Sequence, residues 1–143
     1  MPRAPKFIKK EMWIEVASGL ALYNIIGGLW YSPVLFQRTF LQTTPFKKDA
    51  DMKPWMLLAT FILGGLEVFG LYHALFNVVG VKGGAWREGG WWGYLIWQFF
   101  VFPSMAVHYL FDRSRPVKHL LLVSGHHLTT MVLEGFLMTY LYQ

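Results

Sequence analysis

The chain has 143 residues, of which 55% are hydrophobic, 18% aromatic and only 15% charged, with a formal net charge of +5. That balance excludes a disordered segment and a solvated enzyme domain, both of which need more charge. Cysteine is absent, which removes disulfides, thiolate nucleophiles and Cys-ligated metals from the reading.

Where the charges fall is more informative than how many there are. Val16–Gln37 and Gly89–Phe111, of 22 and 23 residues, contain no Lys, Arg, Asp or Glu. Pro54–Val81 contains Glu67 alone in 28 positions, and His119–Gln143 contains Glu134 alone in 25. About 20 helical residues at ~1.5 Å each cross ~30 Å of hydrocarbon, so every one of these stretches is long enough to span a bilayer. The expected fold is all-α: one membrane domain over residues 1–143, an integral membrane bundle of four transmembrane helices. The spans are expected at approximately 13–36, 55–80, 90–111 and 119–142, with the N- and C-termini on the same side.

The first apolar stretch is longer than the core of a secretory signal and is read as a retained span. Glu11 and Glu15 precede it, where acidic groups suit the helix dipole. Trp13 at one end and Trp30 with Tyr31 at the other are expected as interfacial anchors, and Pro33 ends or kinks the helix. The connection from Gln37 to Lys53 is polar enough for a short interfacial helix. Lys82 to Gly90 reads as a flexible turn bracketed by Gly83–Gly84 and Gly89–Gly90. Pro103 leaves the Phe99 carbonyl without its usual donor, which predicts a kink in the third span. The short third connection, with Arg113, Arg115 and Pro116, pairs the last two spans antiparallel.

Basic residues form no stripe of the kind that binds nucleic acid. Arg3, Lys6, Lys9 and Lys10 precede the first span, and Arg38, Lys47, Lys48 and Lys53 occupy the first connection, as membrane-edge cations do. The expected partners are anionic phospholipids and other membrane subunits, with no nucleic acid. Six cations fall on the side of the termini and seven on the other, so the positive-inside rule assigns no orientation.

Within the spans, Glu67 and Glu134 lie roughly 18 to 21 Å from the same face, and Asn24 about 18 Å from the opposite one. His127 and Glu134, seven apart, share a helix face with Met131 between them. Glu67, Glu134, Asn24 and His127 are therefore an expected intramembrane polar cluster, serving either as a proton or ion contact or as hydrogen-bonded glue between helices. Each carboxyl should be protonated or find a donor. His126 points away from that face. His108 and His119 should lie on the same membrane side as His126 and His127, which raises a weaker, haem-binding reading. Gly64, Gly65, and the pair Gly125 and Thr129 permit close helix approach. No catalytic residue, cofactor or metal site is assigned.

Gly28, Trp30, Tyr31, Ser32, Pro33 and Phe36, at the end of the first span, resemble the signature block of the DUF1761 family, with Gln37 where that family has glycine. The likeness continues through the glycine-rich connection to Gly125 and Gly135. It implies a four-helix integral membrane protein whose role is unassigned. The expected function is a non-catalytic accessory subunit or assembly factor of a larger membrane complex, a respiratory-chain or ATP-synthase assembly being the natural home. That places it in the mitochondrial inner membrane, with a bacterial plasma membrane as the alternative. A small proton-coupled transporter using the intramembrane carboxylates is the competing reading.

Overall fold

A computed structural model describes residues 12–45, 53–111 and 114–142. The expectations attached to Arg3, Lys6, Lys9, Lys10, Glu11, Lys47, Lys48 and Arg113 lie outside the described residues.

Four helical stretches are long and apolar enough to cross a membrane: Met12–Trp30, Pro54–Val79, Trp86–Phe111 and Val117–Leu141. We label the helices α1 (Met12–Trp30), α2 (Gln37–Thr43), α3 (Pro54–His73), α4 (Trp86–Ile96), α5 (Phe102–Phe111) and α6 (Val117–Leu141). A wide π-helical turn over Ala74–Val79 extends α3, and another over Trp97–Val101 joins α4 to α5. Met12 shares a buried cluster with Leu75, Val81 and Met138, and Tyr142 packs against that cluster. The start of α1 and the end of α6 therefore lie at the same end of the bundle.

The last helix is the centre. Along α6 the buried residues include His119, Ser124, His126, Thr130, Glu134 and Thr139, and α1, α2, α3, α4 and α5 all pack against it. α1 meets it through Met12, Glu15, Gly19, Tyr23 and Ile26, spaced by threes and fours along one helical face. Much of the remaining surface is apolar, including Leu57, Leu58, Leu63 and Leu66 on α3 and Phe99, Phe100 and Phe111 on the third span. In water such a surface would aggregate; in hydrocarbon it is the ordinary exterior.

Three expectations need correction. The first span stops at Trp30 and not near 36, because Ser32 turns the chain: its hydroxyl donates to the Leu29 carbonyl at 2.6 Å, and its own carbonyl accepts from the Leu35 and Gln37 amides. Gly89 and Gly90 belong to α4 and are not a turn. Gly80 (φ +77°) and Gly84 (φ +78°) make the reversal instead, using the left-handed backbone that glycine adopts without steric penalty. The break expected at Pro103 is taken up by the π-helical turn over Trp97–Val101, immediately before the proline.

Gly89 and Gly90 serve contact rather than flexibility. A Cβ at Gly89 would strike the Gly135 carbonyl and the Thr139 hydroxyl, one at Gly93 would strike the Met131 carbonyl, and one at Gly135 would strike the Gly89 carbonyl. Gly89 and Gly93 thus form a GxxxG face on α4 that meets Met131, Gly135 and Thr139 on α6, backbone against backbone. Gly125 and Thr129, the small pair expected to do this, play other parts: Gly125 faces the Trp30 ring, and the Thr129 hydroxyl donates to the Gly125 carbonyl.

Gly135→Leu should lower the stability of the detergent-solubilised protein by about 1–3 kcal/mol or more, because backbone on the opposite helix cannot retreat. Gly28→Ala, at a helical position with nothing within 4 Å of the added carbon, should leave it unchanged or raise it by up to about 1 kcal/mol. Thermal unfolding followed by circular dichroism measures both.

Candidate functional site

The polar face of α6 organises the interior. His127 Nδ1 lies 3.2 Å from Glu67 Oε1 and 3.1 Å from Oε2, joining α6 to α3 through a proton held between imidazole and carboxyl. It is the one ion pair among the described residues whose partners lie inside the spans. Glu134, two turns further along α6, is 0% exposed, and neither of its carboxyl oxygens has a hydrogen-bond partner among the described residues.

His126 faces α1 from the adjoining position. Its ring lies 5.7 Å from that of Tyr23, 6.0 Å from Trp30, 5.3 Å from Tyr31 and 5.4 Å from His127. Its Nε2 is buried without a partner among the described residues and faces Gly27, where a Cβ would lie 3.4 Å away. Tyr23 reaches the cluster because Gly64 of α3 leaves space for its ring.

The cluster is closed at one end by the Trp30–Tyr31 segment. Trp30 and Tyr31 were expected as anchors with their polar atoms among headgroups. Trp30 instead turns its indole N–H inward, donating to the Leu122 carbonyl of α6 at 3.2 Å. Trp97 does the same from the π-helical turn, donating to the Ser124 carbonyl at 3.0 Å. A carbonyl has two lone pairs, so each accepts this bond beside its helical one. Burial of Tyr31 pushes its phenol up to about 12, so it packs on His126 and Phe40 as a neutral ring. Pro33 is exposed within the following turn.

Of the expected cluster, Glu67 and His127 are in contact and Glu134 is buried two turns along α6, whereas Asn24 lies apart. It is exposed on the outer face of α1, and its amide donates to the Leu20 carbonyl of its own helix at 2.7 Å. Similar depth did not bring it in, because the face of α1 that meets α6 is set by Gly19, Tyr23 and Ile26. His126, read as pointing elsewhere, packs among the rings of Tyr23, Trp30 and Tyr31.

Glu15 is a residue the sequence reading missed. Taken there as a helix-dipole partner, it is 2% exposed, with Oε2 lacking a partner among the described residues. Its position four residues before Gly19 and eight before Tyr23, on the packing stripe, was the available signal. Among the described residues no three His, Asp or Glu side chains converge as a metal-ligand set. His108 and His119 line a separate groove nearer the membrane edge.

A model of the family described as protein of unknown function (DUF1761) matches residues 14–139. The chain belongs to the DUF1761 family. No curated protein and no solved structure matches it. Trp30 and Tyr31, from the block that carried the resemblance, are thus the side chains that seal the polar core of this DUF1761 protein.

Glu67→Gln retains a partner for His127 and should accumulate in membranes as the native chain does. Glu67→Lys sets a second cation beside His127 inside the bundle and should accumulate several-fold less, a buried lysine costing about 2.5–3.5 kcal/mol on insertion. Immunoblotting of membrane fractions distinguishes them, and equal amounts of both would contradict the assignment of Glu67 to the interior.

Proposed function

We propose that this DUF1761 protein is a small, non-enzymatic, proton-coupled transporter whose carrier groups are the Glu67–His127 pair and Glu134. The observation that supports it is Glu134: a carboxyl buried completely in the bundle with both oxygens unpaired among the described residues. A purely structural helix gains nothing from such a group, since each buried unpaired polar atom costs about 1–3 kcal/mol that an apolar side chain would avoid. Ionisable residues kept inside a membrane protein at that cost are characteristic of proton relays and ion paths. In this reading a proton moves between the pair and Glu134. Tyr23, whose hydroxyl both donates and accepts, is buried on α1 with its ring against Gly64 and 5.7 Å from that of His126.

Purified protein reconstituted in liposomes, with a pH-sensitive dye inside and a potassium diffusion potential imposed, tests it. The native chain should acidify the lumen well above protein-free vesicles. Glu134→Gln and Glu67→Gln should each slow this about tenfold or more, as loss of a proton-transfer group does, while Asn24→Leu on the outer face should leave the rate unchanged. Flux no greater than in empty vesicles, or insensitive to Glu134→Gln, overturns the reading.

A second reading, an accessory or assembly subunit of a larger membrane complex, draws on α5. That helix buries no residue, and Phe111 at its end is 88% exposed. If α5 seats a neighbouring subunit, cysteine introduced at Phe111 in an otherwise cysteine-free chain should crosslink to one defined polypeptide in native membranes. Crosslinking to lipid alone would remove this reading.

A further inference from the structure

A groove of about 250 Å³ between α5 and α6 is lined by the apolar Met105, Leu120 and Val123 and by the polar His108, Tyr109 and Arg115. A hollow at the end of the bundle, lined by Tyr109, Arg115 and Pro116 among others, shares Tyr109 and Arg115 with it. An apolar slot therefore opens into a chamber with a cation at the junction.

Arg115 is held in that position. Its Nη1 lies 2.9 Å from His119 Nε2, and because a guanidinium only donates, Nε2 must accept. The imidazole proton then resides on Nδ1 and is donated to Thr43 Oγ1 at 3.1 Å, and the Thr43 hydroxyl donates in turn to the Thr39 carbonyl at 2.9 Å. His119 is only 9% exposed, so a buried relay reaching back to α2 sets the guanidinium in place. One N–H is used in this way, and no carboxylate among the described residues pairs with Arg115. Lys118, exposed on the first turn of α6, adds a second cation at the same edge.

We propose that this groove binds a phospholipid of the surrounding bilayer with an anionic headgroup. Its acyl chain lies along Met105, Leu120 and Val123, and its phosphate rests on Arg115. The charge fits because the guanidinium has no carboxylate partner among the described residues and stands near exposed Lys118, so a headgroup of net negative charge gains what a zwitterionic one, whose own ammonium offsets its phosphate, does not. The flanking surface fits because Val107, Leu110 and Phe111 are 51%, 62% and 88% exposed, an apolar face suited to acyl chains. A water-soluble phosphate would use the chamber and leave the slot empty; a lipid uses both.

Native mass spectrometry of the purified full-length chain in neutral detergent, with dioleoylphosphatidylglycerol or dioleoylphosphatidylcholine added, tests this. The phosphatidylglycerol should be retained about tenfold better than the phosphatidylcholine, and Arg115→Gln should abolish that preference. Val123→Phe, which fills the slot, should lower retention of both lipids while leaving Arg115 in place, and this keeps the test decisive should the arginine variant fail to elute as a folded particle. Equal retention of the two lipids by the native chain, no effect of Val123→Phe, or displacement of the lipid by millimolar inorganic phosphate would overturn the proposal, the last by identifying a free-phosphate site.

Discussion

Hydrocarbon offers no hydrogen bonds, so a polar side chain within a span must be satisfied by the protein or held away from lipid. In this chain that constraint falls most heavily on α6, which carries Ser124, His126, His127, Thr130, Glu134 and Thr139. The remainder of the architecture follows from enclosing them. The threonines turn back on their own helix, Thr130 to the His126 carbonyl and Thr139 to the Gly135 carbonyl. The histidines and Glu134 are too long for that and need neighbours. α3 supplies Glu67 for His127, and α1 supplies Tyr23, Trp30 and Tyr31 around His126.

Enclosure requires close approach, which explains where the glycines fall. Without a hydrophobic effect between helices in lipid, association depends on packing and on bonds between helices. Gly89 and Gly93 against Gly135 bring two backbones together. Gly64 receives the Tyr23 ring, and Gly19 accommodates Met138 and Val68. Each glycine weakens its own helix by about 1 kcal/mol relative to alanine, and contact across the interface offsets that loss. Two indole N–H groups, from Trp30 and Trp97, fasten α1 and the third span to neighbouring turns of α6 at Leu122 and Ser124. Lipid-facing bulk and interior fastening are thus divided among residues of the same type: Trp13, Trp55 and Trp91 are exposed, whereas Trp97 is buried.

The outer layer has its own polar logic at the membrane edge. Arg115, His119 and Thr43 form a chain of donors and acceptors that ties α2 to α6 away from Glu67 and His127. Phe40 of α2 lies between the two regions, its ring 5.0 Å from that of Tyr31 and 6.4 Å from that of His119.

Four spans, their approximate ends and the presence of carboxyls inside two of them were legible from charge spacing alone, because burying charge in lipid costs enough to print a pattern on the sequence. Family membership was legible in the Trp30–Phe36 block. Rotation about each helix was not. Asn24 and Tyr23 are neighbours in sequence and similar in depth, yet one faces out and the other completes the core. Glu15 near a helix start was read as a partner of the helix dipole and is buried. Gly89 and Gly90 looked like a turn and are the tightest helix contact. These outcomes depend on which faces of different helices meet, a matter of side-chain volumes and backbone approach between residues far apart in the chain. Length and polarity decide that a helix spans; only the packed bundle decides which of its polar residues meet.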